Sequence, residues 1–146
     1  GTPVLKKRIC GNRFEGTNIY KRGEYYYLFA SIGTCCNGAT STYQTVVGRS
    51  KNVLGPYLDK TGRDMLYDYC EIIMSGNETW AGPGHNSILI QDDVGTDWII
   101  YHGYKKKEAE NGRYVLMDKL IWSNDGWPSV KSNAPSILEV APYFQK

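Results

Sequence analysis

The chain has 146 residues, of which 41% are hydrophobic and 22% are charged, and its formal net charge is +2. This balance is typical of a single folded domain and excludes a disordered chain. The seventeen Lys and Arg residues are scattered, and the short basic run at residues 105–107 is followed at once by Glu108 and Glu110. The sequence has no cluster of positive charges that could bind a phosphate backbone, so we expect no nucleic-acid partner. No apolar run approaches the ~20 residues of a membrane helix, so we expect no membrane partner either.

Strand signals dominate the chain from one end to the other. Aromatic and β-branched runs over residues 25–30, 42–47, 97–102 and 113–120 predict four strands, each bounded by polar or glycine-containing turns. No long stretch keeps a helical period. The sequence therefore predicts an all-β domain.

The strands form two units that repeat with one offset. Tyr27 and Trp98 are 71 residues apart, and so are Tyr43 and Tyr114. A repeat of this length with about four strands per unit suggests propeller blades with large loops. Two blades do not close a ring, since at least ~4 are needed. We therefore expect the remaining blades to come from a missing N-terminal segment or from a second chain.

The start of the sequence bears on the same question. The chain begins at Gly1 without a methionine and shows no signal peptide. This favours a processed or truncated product of a longer protein.

Glu15 and His85 fall at matching places in the two units, because they are 70 residues apart. Each has a glycine neighbour and precedes a segment that we expect to be the innermost strand of its blade. From spacing alone, Glu15 is also compatible with a solvated carboxylate, and His85 with a packed histidine in a glycine-rich turn. Their equivalent positions favour a shared functional site at the propeller axis.

Four cysteines are present, at Cys10, Cys35, Cys36 and Cys70. No two are spaced as a zinc-binding pair, so a zinc site is not expected. Adjacent α-carbons lie only ~3.8 Å apart, so a bridge between the neighbouring Cys35 and Cys36 would be strained. Two packed thiols are the favoured interpretation.

Several ordered motifs resemble glycoside hydrolase family 43, and within it the endo-α-1,5-L-arabinanases. They are EGTNIYKRG at residues 15–23, YYYLF at 25–29, GTCCNG at 33–38, STY at 41–43, VGRS at 47–50, GPYLDKTG at 55–62, GPGHNS at 82–87 and DGWP at 125–128. The resemblance implies a five-bladed β-propeller of which this chain is a partial catalytic domain. Residues 12–70 would be the fourth blade, and residues 80–146 the fifth blade and a C-terminal tail.

The resemblance also implies a reaction and the carboxylates that serve it. Family members hydrolyse arabinan or xylan side chains with inversion, using an Asp base and an Asp that tunes the acid, both in early blades, and a Glu general acid in the fourth. Only the acid maps here, onto Glu15, because the first three blades have no counterpart. Inverting hydrolysis needs a base ~6.5–9.5 Å from the acid, so Glu15 alone does not suffice. Asp59, Asp64 and Asp68 lie in a linker and Asp92 and Asp93 in a turn, so none of them is expected to replace the missing base.

Further site residues follow from the same resemblance. His85 matches a histidine that in related arabinanases lies beside a metal, usually calcium. Because calcium prefers oxygen ligands, this histidine would act through bound water or by holding the geometry of the site. Trp80, Asn37 and the loop containing Cys35 and Cys36 are expected to line the sugar cleft.

The preferred function is hydrolysis of α-1,5-linked arabinan with inversion, this chain supplying the general acid. One alternative is an exo-acting α-L-arabinofuranosidase or β-xylosidase on the same scaffold. The other is a non-catalytic propeller fragment that binds carbohydrate. Because a cell-wall polysaccharide is met outside the cytoplasm, we expect a secreted or periplasmic protein.

Overall fold

A computed structural model describes residues 1–2 and 4–145 of the chain. Its first sheet has four antiparallel strands in the order β1-β2-β3-β4. The strands are β1 (Glu15–Arg22), β2 (Tyr25–Ile32), β3 (Gln44–Ser50) and β4 (Glu71–Met74). The six residues that end β2 are all buried, so this strand is covered on both faces. Such two-sided burial explains why it reads as an unbroken aromatic and apolar run rather than an alternating one.

The second sheet is built around one long strand. Its strands are β5 (Trp80–Gly84), β6 (Ile90–Gln91), β7 (Asp97–Lys105) and β8 (Arg113–Lys119). β8 lies along one edge of β7, and β5 and β6 follow one another along the other edge. A separate antiparallel ribbon joins β9 (Ile121–Trp122) to β10 (Pro128–Ser129). All four strands predicted from the sequence are therefore present.

The position of His85 differs from the prediction. The sequence places it at the start of an inner strand, but in the structure it follows β5, in the interruption between β5 and β6. The N–H of Ser87 still donates to the carbonyl of Ile100 at 2.8 Å, so this edge of β7 continues through the gap. The five residues of β5 escaped prediction because Gly-Pro-Gly reads as a turn, and proline has no N–H for a ladder.

A core of apolar side chains joins the two sheets. One cluster combines Tyr27, Phe29 and Val47 of the first sheet with Ile99 and Tyr101 of the second. These side chains are at most 3% exposed, so the sheets pack face to face. This burial is the main stabilising term, at roughly 25 cal/mol per Å² of apolar surface.

The opposite face of the first sheet is covered by the chain itself. Tyr57 and Met65, from the segment after β3, pack on Leu28, Ala30 and Val46. The helical segments of the described residues are all short 3₁₀ turns, at Gly38–Thr40, Met65–Tyr67, Lys106–Asn111 and Lys131–Asn133. In that same part of the chain, no helix has the length and apolar character that a membrane crossing requires.

The close approach of Gly84 to Tyr43 offers a test of this packing. A Cβ at Gly84 would lie 2.5 Å from Tyr43 Cδ1 and 3.0 Å from Ser31 Oγ, so Gly84→Ala must displace a buried ring. Overpacking of this kind destabilises by ~1–3 kcal/mol. We expect that loss in the free energy of unfolding measured with urea.

Gly103→Ala is the matched control for this experiment. It lies in the same sheet, and its Cβ would come closest to the Leu116 side chain at 3.1 Å, which has rotational freedom to move aside. The gain from a less flexible unfolded chain, ~0.4–1 kcal/mol, then offsets the crowding. Equal stability of the two variants would show that the Tyr43 ring is not held against Gly84.

Candidate active site

Glu15 lies where the regular pairing of an edge strand is interrupted. It opens β1 opposite Ser31, and the register then shifts before Asn18 pairs with Phe29. Gly16 supplies the conformation of the break with a φ of +59°, a value that side-chain-bearing residues rarely adopt. The break leaves the Glu15 side chain exposed at the end of the strand.

Tyr43 and His85 bring the two sheets together at Glu15. The Tyr43 hydroxyl donates to Glu15 Oε2 at 2.8 Å and lies 3.4 Å from His85 Nδ1. The backbone N–H of His85 donates to Ser31 Oγ at 2.7 Å, which ties the interruption of the second sheet to β2. The His85 ring also lies against Gly16, where a Cβ would be 3.0 Å from the ring. The two residues singled out from the sequence are therefore neighbours in space.

His102 forms the floor of this cluster. Its ring stacks on the rings of Tyr43 and His85, with centroids 5.9 and 6.2 Å away. Arg113 Nη1 lies 3.4 Å from His102 Nε2, and because arginine only donates, Nε2 is the accepting nitrogen. Burial lowers the pKa of His102, and the positive charge of Arg113 lowers it further. His102 is thus held in its neutral form beside Glu15.

The loop of Cys35, Cys36 and Asn37 lies on the same side of the cluster. All four cysteines are free thiols, and the Sγ atoms of Cys35 and Cys36 are 2.7 Å apart. The hydrogen bond with Cys36 raises the pKa of the Cys35 thiol, and burial and the charge of Glu15 add to the shift. Asn37 is exposed, so its side chain is open to solvent at this edge.

Trp80 occupies a different environment from the loop. It begins β5, is 9% exposed, and packs edge-on against Tyr114 with ring centroids 5.9 Å apart. Its Nε1 is buried without a hydrogen-bond partner among the described residues. Most of its side chain therefore packs inside the protein.

The four buried aspartates serve the fold. Each accepts hydrogen bonds from neighbouring side chains: Asp59 from Thr61 and Arg63, Asp92 from Trp98, Asp97 from Tyr20 and Trp122, and Asp118 from Tyr101. Hydrogen bonds from Arg63, Thr61 and Trp98 lower the pKa values of Asp59 and Asp92 despite their burial. These carboxylates are therefore committed to structural partners.

Metal ligands are sparse around His85. Within residues 1–2 and 4–145, no three His, Cys, Asp or Glu side chains converge on a point where they could hold a metal ion. Two carboxamide oxygens next to His85 in the fold, Asn18 Oδ1 and Asn86 Oδ1, are buried without a partner in that part of the chain. Calcium takes six to eight oxygen ligands, so these groups do not form a calcium site by themselves.

Sequence reasoning missed the residues that hold Glu15 in place. Tyr43, His102 and Ser31 were not among the expected site residues, since a strand tyrosine or serine carries no signal of a catalytic role. The 71-residue spacing from Ser31 in β2 to His102 in β7 repeats the spacing that relates the two units. Ser31 and His102 therefore occupy equivalent positions in the two units, and this equivalence is the sequence signal that could have identified them.

The chain belongs to a family of carbohydrate-cleaving enzymes. Residues 5–128 match the family described as Glycosyl hydrolases family 43. This match confirms the predicted family. The strand-rich structure and its likeness to the solved arabinanases described below confirm the all-β propeller fold class.

Individual relatives support the same assignment. The chain is 45% identical over 118 residues to the extracellular exo-α-(1→5)-L-arabinofuranosidase ArbA of Cellvibrio japonicus, a match that covers 81% of this chain. It is 41% identical over 120 residues to the extracellular endo-α-(1→5)-L-arabinanase 1 of Bacillus subtilis, a match that covers 82% of this chain. The chain spans only about a third of these relatives, 33% and 35% of their lengths.

Solved structures agree with the sequence comparison. An α-L-arabinanase of Cellvibrio cellulosa in complex with arabinohexaose has a TM-score of 0.77 and 44% identity, over 82% of this chain and 37% of its own. An endo-arabinanase of Bacillus licheniformis has a TM-score of 0.73 and 35% identity, over 87% of this chain and 42% of its own.

Proposed function

We propose that this chain supplies the proton-donating part of a glycoside hydrolase that cleaves α-1,5-linked L-arabinan with inversion. One observation carries the proposal: the exposed Glu15 carboxylate, at a break in an edge strand, is held by Tyr43 beside His85. Membership of family 43 and relatives named for arabinan support the substrate class. Arabinan or an arabino-oligosaccharide is therefore the proposed ligand.

Glu15 acts in this proposal as the general acid. Its proton passes to the glycosidic oxygen as the bond to the anomeric carbon breaks, so the leaving sugar departs as an alcohol. A carboxylate ~6.5–9.5 Å away activates the attacking water on the opposite face. Since the buried aspartates of this chain are held by structural hydrogen bonds, we assign that base to blades contributed by the rest of the protein.

Cys35, Cys36, Asn37 and Trp80 are proposed to contact the sugar. The loop of the first three borders Glu15 and exposes Asn37, whose amide both donates and accepts hydrogen bonds. Trp80 is only 9% exposed, so it would contribute a small contact surface.

The relatives agree on the linkage that is cleaved, but they differ in whether cleavage is exo-acting or endo-acting. One is named as exo-acting and another as endo-acting, and their identities to this chain are similar, at 45% and 41%. Both names specify the α-(1→5) linkage, which favours arabinan over xylan as the substrate. Because both relatives are named extracellular, we also propose that the protein is secreted.

Replacing Glu15 with glutamine tests the proposed acid. In the complete protein, Glu15→Gln keeps the size of the side chain but removes the transferable proton, so we expect kcat on arabinan to fall roughly 10²-fold or more. The loss should be smaller on an aryl arabinoside, whose leaving group departs with little protonation. Sugar binding should persist in calorimetry, and residues 1–146 alone should release no sugar because they lack the base.

Glu24→Gln is the matched control, since the Glu24 side chain is 80% exposed and pairs with Lys51 at the surface. It should leave turnover on both substrates unchanged. Equal losses on arabinan and on the aryl arabinoside in Glu15→Gln would argue for a structural role. Sugar release by the isolated chain would contradict the assignment of the base to other blades.

We further propose that His85 helps to hold a calcium ion, through bound water or by fixing the site geometry. The two unpartnered amide oxygens of Asn18 and Asn86 are of the type calcium prefers, and the remaining oxygens would come from water or other blades. Calcium supplied there would contribute a fixed positive charge near the sugar.

This assignment is tested by removing metal from the complete protein with a chelator and then titrating it with calcium in a calorimeter. We expect His85→Ala to weaken calcium binding roughly tenfold or more, as the loss of a supporting partner does at metal sites. Glu24→Gln removes only a surface carboxylate, so this control should bind calcium as the parent does. Unchanged calcium affinity in a folded His85→Ala variant would contradict the assignment.

A further inference from the structure

Tyr43 is the residue that fixes the geometry of Glu15. It is 1% exposed, immediately precedes β3, and its hydroxyl donates to Glu15 Oε2 at 2.8 Å. The alternative acceptor, His85 Nδ1, is farther away at 3.4 Å, so the single phenolic proton is directed to the carboxylate. Burial raises the pKa of Tyr43, and the hydrogen bond to Glu15 raises it further, so the hydroxyl remains a donor.

The ring of Tyr43 is held from several sides. His102 stacks on it with an interplanar angle of 19°. Gly84 lies so close that an added Cβ would be 2.5 Å from the ring, and the same Cβ would be 3.0 Å from Ser31 Oγ. A ring confined in this way keeps its hydroxyl at one position relative to Glu15, and a preorganised donor needs no rearrangement during the reaction.

We propose that Tyr43 is a positioning residue for the general acid, and that it decides which Glu15 oxygen carries the proton. The proposal rests on the function proposed for Glu15. Because Tyr43 occupies Oε2, the transferable proton resides on Oε1. As the Oε1–H bond breaks, the proton moves to the glycosidic oxygen, which keeps the electron pair of its broken bond to the anomeric carbon. Glu15 is left as a carboxylate, and Tyr43 retains its own proton throughout.

The hydrogen bond from Tyr43 acts more strongly on the product of this step than on the reactant. A hydrogen bond to an ionised carboxylate is roughly twice as strong as one to a neutral group. Negative charge develops on Glu15 as the proton leaves, so Tyr43 stabilises the transition state more than the ground state.

Other titratable groups face Glu15 from the elements packed against it. They are His85 after β5, His102 on β7, Arg113 on β8 and Cys35 in the loop before Tyr43. All four remain in place when only the Tyr43 hydroxyl is removed, so a change in kcat of that variant reports the loss of the hydroxyl.

Tyr43→Phe in the complete protein tests the inference, because it keeps the ring and deletes the donor. We expect kcat on arabinan to fall roughly tenfold with little change in KM, since a hydrogen bond to a charged group is lost in the transition state. On an aryl arabinoside the fall in kcat should be smaller.

Tyr57→Phe is the matched control. Tyr57 is also buried in the first sheet's packing, and its hydroxyl donates to the Val53 carbonyl at 2.8 Å, away from Glu15. This variant should lose stability without lowering kcat on arabinan. Replacing Tyr43 with 3-fluorotyrosine provides a second, folding-independent measurement. The fluorine keeps the ring and makes the phenol a stronger donor, so kcat on arabinan should not fall.

The outcomes separate this inference from the proposal on which it rests. If Glu15→Gln retains full activity on arabinan, the proposed function fails. If Glu15→Gln is inactive but folded Tyr43→Phe keeps the parent kcat on arabinan, or loses as much kcat on the aryl arabinoside as on arabinan, the role of Tyr43 is overturned and that of Glu15 stands. A 3-fluorotyrosine variant that loses as much kcat as Tyr43→Phe would overturn it in the same way.

Discussion

The packing of the Tyr43 ring between the two sheets is the constraint on which the site depends. The ring fits because Gly84 has no side chain where the sheets approach, and the phenol then meets Glu15 at 2.8 Å. The second sheet contributes His85 and the stacking surface of His102 to the same contact. Neither sheet alone would hold the carboxylate in this position, so the site exists only where the two sheets pack together.

Irregular pairing in both edge strands is what exposes the functional groups. β1 shifts register directly after Glu15, and the edge formed by β5 and β6 is interrupted at His85. Regular pairing would place such residues in a hydrogen-bonded ladder with fixed neighbours. Breaks next to functional groups re-aim side chains without unravelling the sheet, and here the buried strands β2 and β7 preserve the core beside each break.

Much of this arrangement follows from the sequence. The aromatic runs identify β2 and β7 because most residues of both strands are buried, and the repeat offset predicts that Glu15 and His85 lie close together. Tyr43 and β5 could not be found in the same way. The bond from Tyr43 to Glu15 spans 28 residues and depends on the three-dimensional space left by Gly84, while the Gly-Pro-Gly of β5 has the local character of a turn. Local patterns thus identify the strands, and tertiary packing decides which side chains meet.

The central claim is that Glu15 donates the proton while the base comes from outside this chain. The most direct measurement is a crystal structure of the complete protein, carrying Glu15→Gln, with an arabino-oligosaccharide bound. We expect the substituted side-chain amide to lie within hydrogen-bond distance of a glycosidic oxygen, with a carboxylate from another blade ~6.5–9.5 Å away across the anomeric carbon. An oligosaccharide whose glycosidic oxygens all lie beyond reach of that amide, or a facing carboxylate supplied by this chain, would contradict the account.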